Sequence, residues 1–348
     1  MAAHNITADS IAAARGGSSL AGRFRHYVRT RPEGGIVVLF VLIQMVCIVA
    51  GLLVPAQFRY LIPANIRVTL QSVTPLGIMS LGVGMLMIAG EYDLSVGAIY
   101  SFASVFAATT TNLYFGGAAN PVAPFLGMVA GIAVGVLAGI INALVTIKLR
   151  IPSFIATLGA MLLWNGGVLL YNGSAAVSFQ PGSPFVNLFS GQIGVIDAGF
   201  LWFIALAVAA YFLLHHHKLG NHFYAVGGNP GAAVAIGIRP FRVKMAAFAI
   251  TGGLAAFAGM IAMTRVSSVQ PGGGQGMELQ SIAACVIGGY SLTGGRGSIL
   301  GAVLGTGLVF TIQDILLLLR APGFYFDMFV GALIVLAVVM NTAIRRKG

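Results

Sequence analysis

Two acidic side chains stand between long apolar runs and are the first candidates for chemistry in this sequence. Glu91 and Asp93 occur in the stretch AGEYDLSVGAIYSF, residues 89–102. Acidic groups at membrane depth are costly and usually have a function. Asp93 could cap the following helix by accepting hydrogen bonds from its first backbone N–H groups. Alternatively, Glu91, Asp93 and the neighbouring Ser95 could contact a substrate or govern gating, and both interpretations stay open.

Histidine and cysteine are the usual metal ligands, and neither residue type predicts a metal site here. His215, His216 and His217 are adjacent, so on a helix their side chains point in different directions. No carboxylate or cysteine is near them, and we interpret them as an interfacial helix end. Cys47 and Cys285 lie inside apolar runs without metal-binding spacing and without a disulfide framework.

A second glycine-rich stretch, residues 278–305, reads ELQSIAACVIGGYSLTGGRGSILGAVLG. A cluster of this kind can cradle phosphate, but no strand precedes it and no GK[ST] follows it. A re-entrant segment or a tight turn between helices suits it better. Part of the stretch, VIGGYSLTGGRGSI, loosely echoes IAGEYDLSVGAI around Asp93. This echo indicates either an internal repeat of the kind that transporters use or a chance similarity between glycine-rich segments.

The composition sets the class of protein. Of the 348 residues, 58% are hydrophobic and 8% are charged, whereas a soluble domain carries about 25% charged residues. The chain is therefore expected to have lipid as its main solvent. A formal net charge of +11 could indicate a nucleic-acid partner. In a membrane protein, basic residues mark the cytoplasmic ends of helices, and we adopt that interpretation and expect no nucleic acid.

Apolar runs of the length needed to cross a bilayer recur along the chain. A spanning helix needs about 20 apolar residues. We predict an all-α, polytopic membrane protein of about ten transmembrane helices, some of them short or broken. The predicted spans are residues 36–54, 67–89, 95–115, 122–147, 153–171, 200–214, 245–264, 279–293, 299–319 and 324–342.

The distribution of basic residues predicts the orientation. With both termini in the cytoplasm, fifteen of the nineteen lysines and arginines lie inside, which leaves only Arg59, Arg67, Arg265 and Arg320 outside. This asymmetry follows the positive-inside rule. We therefore expect a basic cytoplasmic tail over residues 1–35, a membrane domain over residues 36–344 and a short cytoplasmic tail over residues 345–348.

One basic, glycine-punctuated segment separates two strongly apolar blocks. It covers residues 215–244, HHHKLGNHFYAVGGNPGAAVAIGIRPFRVK, and the charge rule places it in the cytoplasm. Its centre predicts a turn and then a short amphipathic helix that ends at Gly237. Arg239, Arg242 and Lys244 would anchor the next span. We interpret the segment as a cytoplasmic docking loop.

These stretches together resemble the membrane permease subunits of ribose-type ABC sugar importers. The resemblance lies in GEYDLSVGA (90–98), IPSFIATLGAMLL (151–163), the loop through residue 238, and residues 265–302. It covers essentially everything after residue 35, in order. Two departures stand out. This chain has Pro230 and Gly231 where the family usually has acidic residues, and Glu91 and Tyr92 stand in GEYDLS where the family usually has GGIDLS.

The resemblance implies a division of labour. A periplasmic binding protein captures the sugar, two permease subunits (identical or paralogous) form the pathway in the bacterial inner membrane, and two cytoplasmic ATPases hydrolyse ATP. The permease would then be no enzyme and would bind no cofactor, since ATP and Mg²⁺ belong to the ATPase. The family's coupling helix, which sits in a groove of the ATPase, falls on the following residues of this chain: Gly228, Asn229, Pro230, Ala232, Ala233, Ile236, Gly237 and Ile238.

A sugar presents hydroxyl groups and no charge, so its pathway needs uncharged hydrogen-bonding side chains. Each candidate can also serve as polar glue between helices. The candidates, besides Glu91, Asp93 and Ser95, are Gln71, Ser72, Thr157, Asn165 and Asn172.

Three alternative functions stay open. A permease of branched-chain amino acid importers is the nearest alternative. A secondary transporter driven by an ion gradient would need a membrane-embedded carboxylate, for which Glu91 and Asp314 are the candidates. An intramembrane enzyme would need a nucleophile with its base, or a metal cluster.

Overall fold

The computed structural model describes residues 33–345. The predicted cytoplasmic tails, residues 1–35 and 345–348, lie almost wholly outside the described residues. Within residues 33–345 the chain is helical apart from short turns and four two-residue strands. The helices are α1 (Gly34–Leu53), α2 (Pro63–Ile88), α3 (Val96–Tyr114), α4 (Ala123–Lys148), α5 (Ser153–Asn172), α6 (Ser183–Ser190), α7 (Ala198–His216), α8 (Lys218–Gly228), α9 (Pro230–Ala235), α10 (Pro240–Val266), α11 (Met277–Ile287), α12 (Ile299–Leu318) and α13 (Phe324–Arg345).

The prediction of an all-α polytopic membrane protein is confirmed. Among the described residues, seven helices are long and apolar enough to cross a membrane, namely α1, α2, α4, α5, α7, α10 and α12. The other three predicted spans correspond to α3, α13 and the short α11, which has 11 residues. The predicted run 279–293 is therefore only partly helical, because Gly288 and Gly289 end α11.

Helix α2 forms the centre of the bundle. Every residue from Val73 to Ile88 is buried, and α7, α10, α11 and α12 all pack against this helix. Apart from Thr74 and Ser80, its second half is apolar, because a helix enclosed by protein on all sides needs no polar face.

Glycines bring α4 and α10 into close contact. A Cβ atom on Gly139 would lie 2.2 Å from the carbonyl oxygen of Phe248, and one on Gly252 would lie 2.1 Å from the carbonyl oxygen of Gly135. Small residues at this contact let the two backbones approach closely, which is how helices associate where lipid supplies no hydrophobic driving force.

Helices α1 and α5 lie at the periphery and expose apolar faces. Leu53 of α1 is 76% exposed, and Leu163 and Leu170 of α5 are 75% and 91% exposed. Helix α5 packs chiefly against α3 and α4. Faces of this kind suit contact with lipid or with another membrane subunit.

The end of the bundle that charge places outside carries short strands and α6. Strand β1 (Val177–Ser178) pairs antiparallel with β4 (Ser268–Val269), and β2 (Gln192–Ile193) pairs with β3 (Ile196–Asp197). Asp197 then caps α7 by accepting a hydrogen bond from the Phe200 N–H at 2.8 Å. Neither the strands nor α6 was expected from the sequence.

Candidate functional site

The turn between α2 and α3 buries Asp93 completely. Its carboxylate accepts hydrogen bonds from the Ser95 backbone N–H at 2.8 Å, the Ser95 hydroxyl at 2.6 Å and the Asn142 amide at 3.0 Å. Burial raises the pKa of Asp93 above its usual range, while the hydrogen bonds from Ser95 and Asn142 oppose this shift. All three neighbouring groups donate hydrogen bonds, so they suit a carboxylate, which only accepts them.

Asp93 does not occupy the N-cap position of α3. Ser95 is the N-cap residue, and its side chain makes no capping hydrogen bond. Asp93 binds the N–H of Ser95, two residues further on, which is the geometry of an Asx turn. The carboxylate therefore orders the entry into the helix from two residues before the N-cap position.

Side chains of α4 and α5 complete a buried polar cluster around this turn. The Thr157 hydroxyl accepts a hydrogen bond from the Leu94 N–H at 3.0 Å, and the Asn142 amide also donates to the Ser95 hydroxyl at 2.7 Å. The Trp164 indole N–H reaches the Asn142 carbonyl oxygen at 3.4 Å. The structure thus brings together the predicted residues Asp93, Ser95 and Thr157, and their polar groups are satisfied within the chain.

Asn142 belongs to the cluster although it was not among the predicted site residues. A signal was present in the sequence: Asn142 is a lone amide in the apolar run GIINALV, and it is only 2% exposed. A buried polar side chain requires partners, and here those partners lie on the turn and on α5.

Glu91 lies apart from the Asp93 cluster and forms an ion pair with Lys244 in the first turns of α10. The two side chains line a cleft of about 330 Å³ together with Arg150 and Thr146. Tyr92, between the two acids, donates its hydroxyl hydrogen to the Leu292 carbonyl. Burial raises the pKa of Tyr92 to about 12, so the phenol stays a donor at neutral pH.

The two glycine-rich stretches that echo each other in sequence meet in space. The Gly295 N–H donates to the Ile88 carbonyl at 2.9 Å, and a Cβ on Gly294 would lie 2.8 Å from the Cα of Gly90. Gly90 and Gly294 have φ values of +83° and +84°, so glycine permits both the turn and the close approach. Helix α8 joins the same contact, because the Tyr224 hydroxyl donates to the Gly297 carbonyl at 2.8 Å.

The loop over residues 215–244 contains two helices, where the sequence predicted one. His217 caps α8 by accepting the Leu219 N–H at 3.2 Å. The second helix, α9, has Asn229 as its N-cap, whose side chain accepts the Ala232 N–H at 3.0 Å. Gly237, with φ +85°, follows the end of α9, as the sequence pattern indicated.

Helix α9 presents an apolar surface, but Ala233 is not part of it. Val234 is 57% and Ile236 is 74% exposed, whereas Ala233 is 1% exposed and belongs to the hydrophobic core. The expectation that Ala233 anchors a partner therefore needs correction, because its side chain already packs against the rest of this chain. Gly228, Asn229, Pro230, Ala232 and Gly237 lie on the exposed side, and Ile238 is half-buried.

Gln71, Asn165 and Asn172 do not join the Asp93 cluster. Gln71 lies half-buried on α2, two residues before its enclosed part, and Asn165 lies half-buried on α5. The Asn172 amide donates to the Ala175 carbonyl at 3.0 Å, near the other end of α5. The structure thus distributes the predicted pathway residues over different levels of the bundle.

A cavity of about 530 Å³ lies between α1, α2, α7 and α12. Its walls are mostly apolar, and its polar side chains satisfy one another: the Tyr60 hydroxyl donates to Gln44, and the Gln44 amide donates to Thr311 at 2.9 Å. Beside it, the Asp314 carboxylate accepts the Asn65 amide at 2.8 Å. Within residues 33–345 no group of three or more His, Cys, Asp or Glu side chains could hold a metal ion.

The described residues thus form a bundle of apolar helices that buries a polar turn near one end and carries a short helix beside it, as suits a protein that spans a membrane. The chain belongs to the family described as branched-chain amino acid transport system / permease component, whose model matches residues 65–338. It is a multi-pass protein of the inner membrane.

Named relatives match along most of their length. The autoinducer 2 import system permease protein LsrC is 32% identical in Enterobacter sp. (strain 638), over 85% of this chain and 84% of the relative, and 34% identical in Escherichia coli K12 (strain DH10B), over 81% and 80%. The xylose/arabinose import permease protein XylH of Sulfolobus acidocaldarius is 31% identical, over 81% and 78%. No solved structure matches the chain.

Proposed function

We propose that this chain is the membrane permease subunit of an ATP-driven importer for a sugar or a sugar-like polyol. The observation that carries the proposal is the similarity, over about four-fifths of both chains, to permeases named for xylose/arabinose and autoinducer 2 import. The subunit is no enzyme and binds no cofactor. ATP and Mg²⁺ belong to separate cytoplasmic ATPase subunits.

Helix α9 is the docking point for the ATPase. A helix that lies in a partner's groove is recognised through its exposed apolar side chains, and Val234 near the end of α9 and Ile236 at its C-cap position are both exposed. Asn229 and Gly237 bound the helix at its two ends. The anchors are therefore held in a defined orientation before the partner arrives.

A displacement of α9 would be transmitted to the buried turn by the two helices that flank α9 in the chain. Helix α10 follows α9 after a short link, and its Lys244 pairs with Glu91. Helix α8 precedes α9, and its Gly227 contacts Gly90 and Gly295. Both routes end at the turn that holds Asp93. ATP-driven closure of the ATPase pair would thus shift α3 and α5 through this turn and alternate the exposure of the pathway.

The remaining partners follow from the same division of labour. A periplasmic sugar-binding protein delivers the solute to the outer end of the bundle, where the short strands and α6 lie. A second permease subunit, identical or paralogous, completes the pathway. The exposed apolar faces of α1 and α5 provide surfaces for this subunit and for lipid.

Uptake by the reconstituted complex tests the proposal. The permease is to be placed in proteoliposomes with the ATPase and the binding protein encoded beside it, and uptake of radiolabelled xylose, arabinose, ribose and autoinducer 2 measured with and without ATP. We expect ATP-dependent uptake of at least one of these solutes. Leucine belongs in the same panel, because the family description names branched-chain amino acids. Uptake of leucine alone, or uptake driven by an ion gradient without ATP, would contradict the proposal.

A further inference from the structure

The segment over residues 267–276, which joins α10 to α11, turns back into the bundle instead of crossing its outer surface. It begins at the outer end of α3, where β4 pairs with β1 and the Asn112 amide donates to the Ser178 carbonyl at 2.8 Å. Five residues after β4, the Gly274 N–H donates to the Ser101 hydroxyl at 2.9 Å. We call residues 267–276 the re-entrant segment.

The tip of the re-entrant segment lies deep in the bundle. Ser101 and Asn112 are both on α3, eleven positions apart, which corresponds to about 16 Å at 1.5 Å per residue. The hydrocarbon core of a bilayer is about 30 Å thick. Gly274 therefore lies about 16 Å below the outer end of α3, inside the hydrocarbon core and toward the inner end of that helix, and the short α11 starts from there.

Two polar side chains on this segment are exposed and make no hydrogen bond within the described residues. Gln270, Gly272, Gly273 and Gln275 are exposed, and the side-chain amides of Gln270 and Gln275 make no hydrogen bond to residues 33–345. The opposite side of the segment is packed, since Gly274 is buried against α3. The segment thus has one enclosed edge and one open polar edge.

Non-helical backbone at membrane depth is tolerated where it is enclosed by protein or lines a water-filled cavity, and it is excluded from contact with lipid. We propose that the open edge of the re-entrant segment lines the aqueous pathway, and that Gln270 and Gln275 bind the hydroxyl groups of the transported solute. An amide side chain both donates and accepts hydrogen bonds, which matches an uncharged polyol. The identity of this ligand rests on the function proposed above.

The enclosed edge fastens the segment to the turn that holds Asp93. Gly97 lies in the first turn of α3, two residues after the N-cap Ser95. A Cβ on Gly97 would lie 2.3 Å from the Gly274 carbonyl oxygen. Glu278, which is 8% exposed, accepts the Gly276 N–H at 3.1 Å and closes the tip. A displacement of the turn therefore moves the solute-facing edge with it.

Reaction of single cysteines with a charged reagent tests whether water reaches this edge. Gln275→Cys is introduced into the full complex with ATPase and binding protein. A membrane-impermeant, positively charged methanethiosulfonate is then added to sealed vesicles of both orientations, with and without ATP. The native Cys47 and Cys285 are buried, and the parent chain measures their background. The matched control is Leu162→Cys, on the exposed apolar face of α5, where Leu162 is 65% exposed.

We expect Gln275→Cys to react faster than Leu162→Cys in at least one orientation, because a thiolate forms in water and not in hydrocarbon. If Gln275→Cys reacts no faster than the control in either orientation, with or without ATP, the edge is covered by a second subunit and the proposal is wrong. The rate of cysteine modification can be measured without transport, so the result does not depend on which solute is carried. Uptake is measured separately on the parent complex: fast reaction of Gln275→Cys together with no sugar uptake by the parent would refute the proposed function and leave the pathway in place.

Two substitutions at the same position test solute binding. Gln275→Leu removes the amide, and Gln275→Asn keeps it on a shorter side chain. We expect Gln275→Leu to lower uptake at subsaturating solute by about tenfold, the factor expected for one hydrogen bond, and Gln275→Asn to retain more. ATPase co-purification should equal that of the parent in both. Equal uptake by Gln275→Leu and the parent would remove this side chain from the solute site.

Discussion

At the scale of single residues, the main finding is that the Asp93 carboxylate binds groups of this chain and is not exposed to a solute. Its carboxylate is fully buried and accepts three hydrogen bonds, which hold the turn between α2 and α3 against Asn142 of α4. Such a group is expensive to desolvate, and its neighbours offset the cost by donating. We interpret Asp93 as a positioning residue for the turn, which reaches the solute only through α3.

Exchange of the two side chains tests this interpretation. Asp93→Asn turns an amide toward the Asn142 amide, and Asn142→Asp places two carboxylates side by side. Each single variant therefore loses the hydrogen bond between the amide and the charged carboxylate, which contributes about 1.5–3 kcal/mol to stability. The double variant restores one donor and one acceptor. We expect both single variants to unfold at lower temperature in detergent than the parent, with the double variant recovering most of the loss.

Uptake should follow the same order, because the turn carries the pathway-lining elements. A double variant that is no more stable than the worse single variant would show that the two side chains do not act as a complementary pair. Full uptake by Asp93→Asn at parental protein levels would show that the turn keeps its shape without this hydrogen bond.

At the scale of elements, helix α9 decides which residues are exposed for the proposed docking. Asn229 and Gly237 set its two ends, and the short helix turns Ala233 inward and Ile236 outward. The apolar residues of the loop are therefore divided between the core of this chain and an exposed surface. Substitution of Ala233 would report on folding, and substitution of Ile236 would report on docking.

We expect Ile236→Asp to leave expression and thermal stability close to the parent and to reduce ATPase co-purification by about tenfold, as for the loss of an apolar anchor. Ala233→Asp should instead lower the yield of folded permease, since it buries a charge without a partner. Ile193→Asp is the matched control, because Ile193 is 72% exposed on the opposite end of the bundle. It should change neither quantity. Equal ATPase recovery with Ile236→Asp and Ile193→Asp would contradict docking through α9.

At the scale of the whole molecule, orientation is the property that all functional assignments share. The positive-inside rule places both termini, the loop over residues 215–244 and the turn at Asp93 in the cytoplasm. It places the strand pairs and α6 outside. With this orientation, the proposed contacts with the ATPase and with the binding protein lie at opposite ends of the bundle.

Reporter fusions measure this orientation directly. Alkaline phosphatase, active only outside, and green fluorescent protein, fluorescent only inside, are to be fused after Gly35, Gly228, Lys347 and, as the outer control, Gly194. We expect fluorescence at the first three positions and phosphatase activity at Gly194. Phosphatase activity at Gly228 would overturn the assignment of α9 to the ATPase side.

The sequence by itself determined the class of protein, the number of apolar runs and the end of α9 at Gly237. These properties are local: hydrophobic length decides what can cross a membrane, and glycine permits the positive φ that follows a helix end. The burial of Asp93, Ser95 and Thr157 in one cluster, and the place of Asn142 in it, could not be predicted because their partners lie 47 to 63 residues apart in the chain.

Only the tertiary structure decided which side chains are free to act. Ala233 and Ile236 have the same apolar character in sequence, and packing alone buries the first and exposes the second. The charge rule places Arg265 outside, yet residues 267–276, which follow it, turn inward because Gly97 and Gly274 allow their two backbones to touch. Sequence patterns record the local preference of the chain, whereas exposure depends on which distant segment occupies the space beside it.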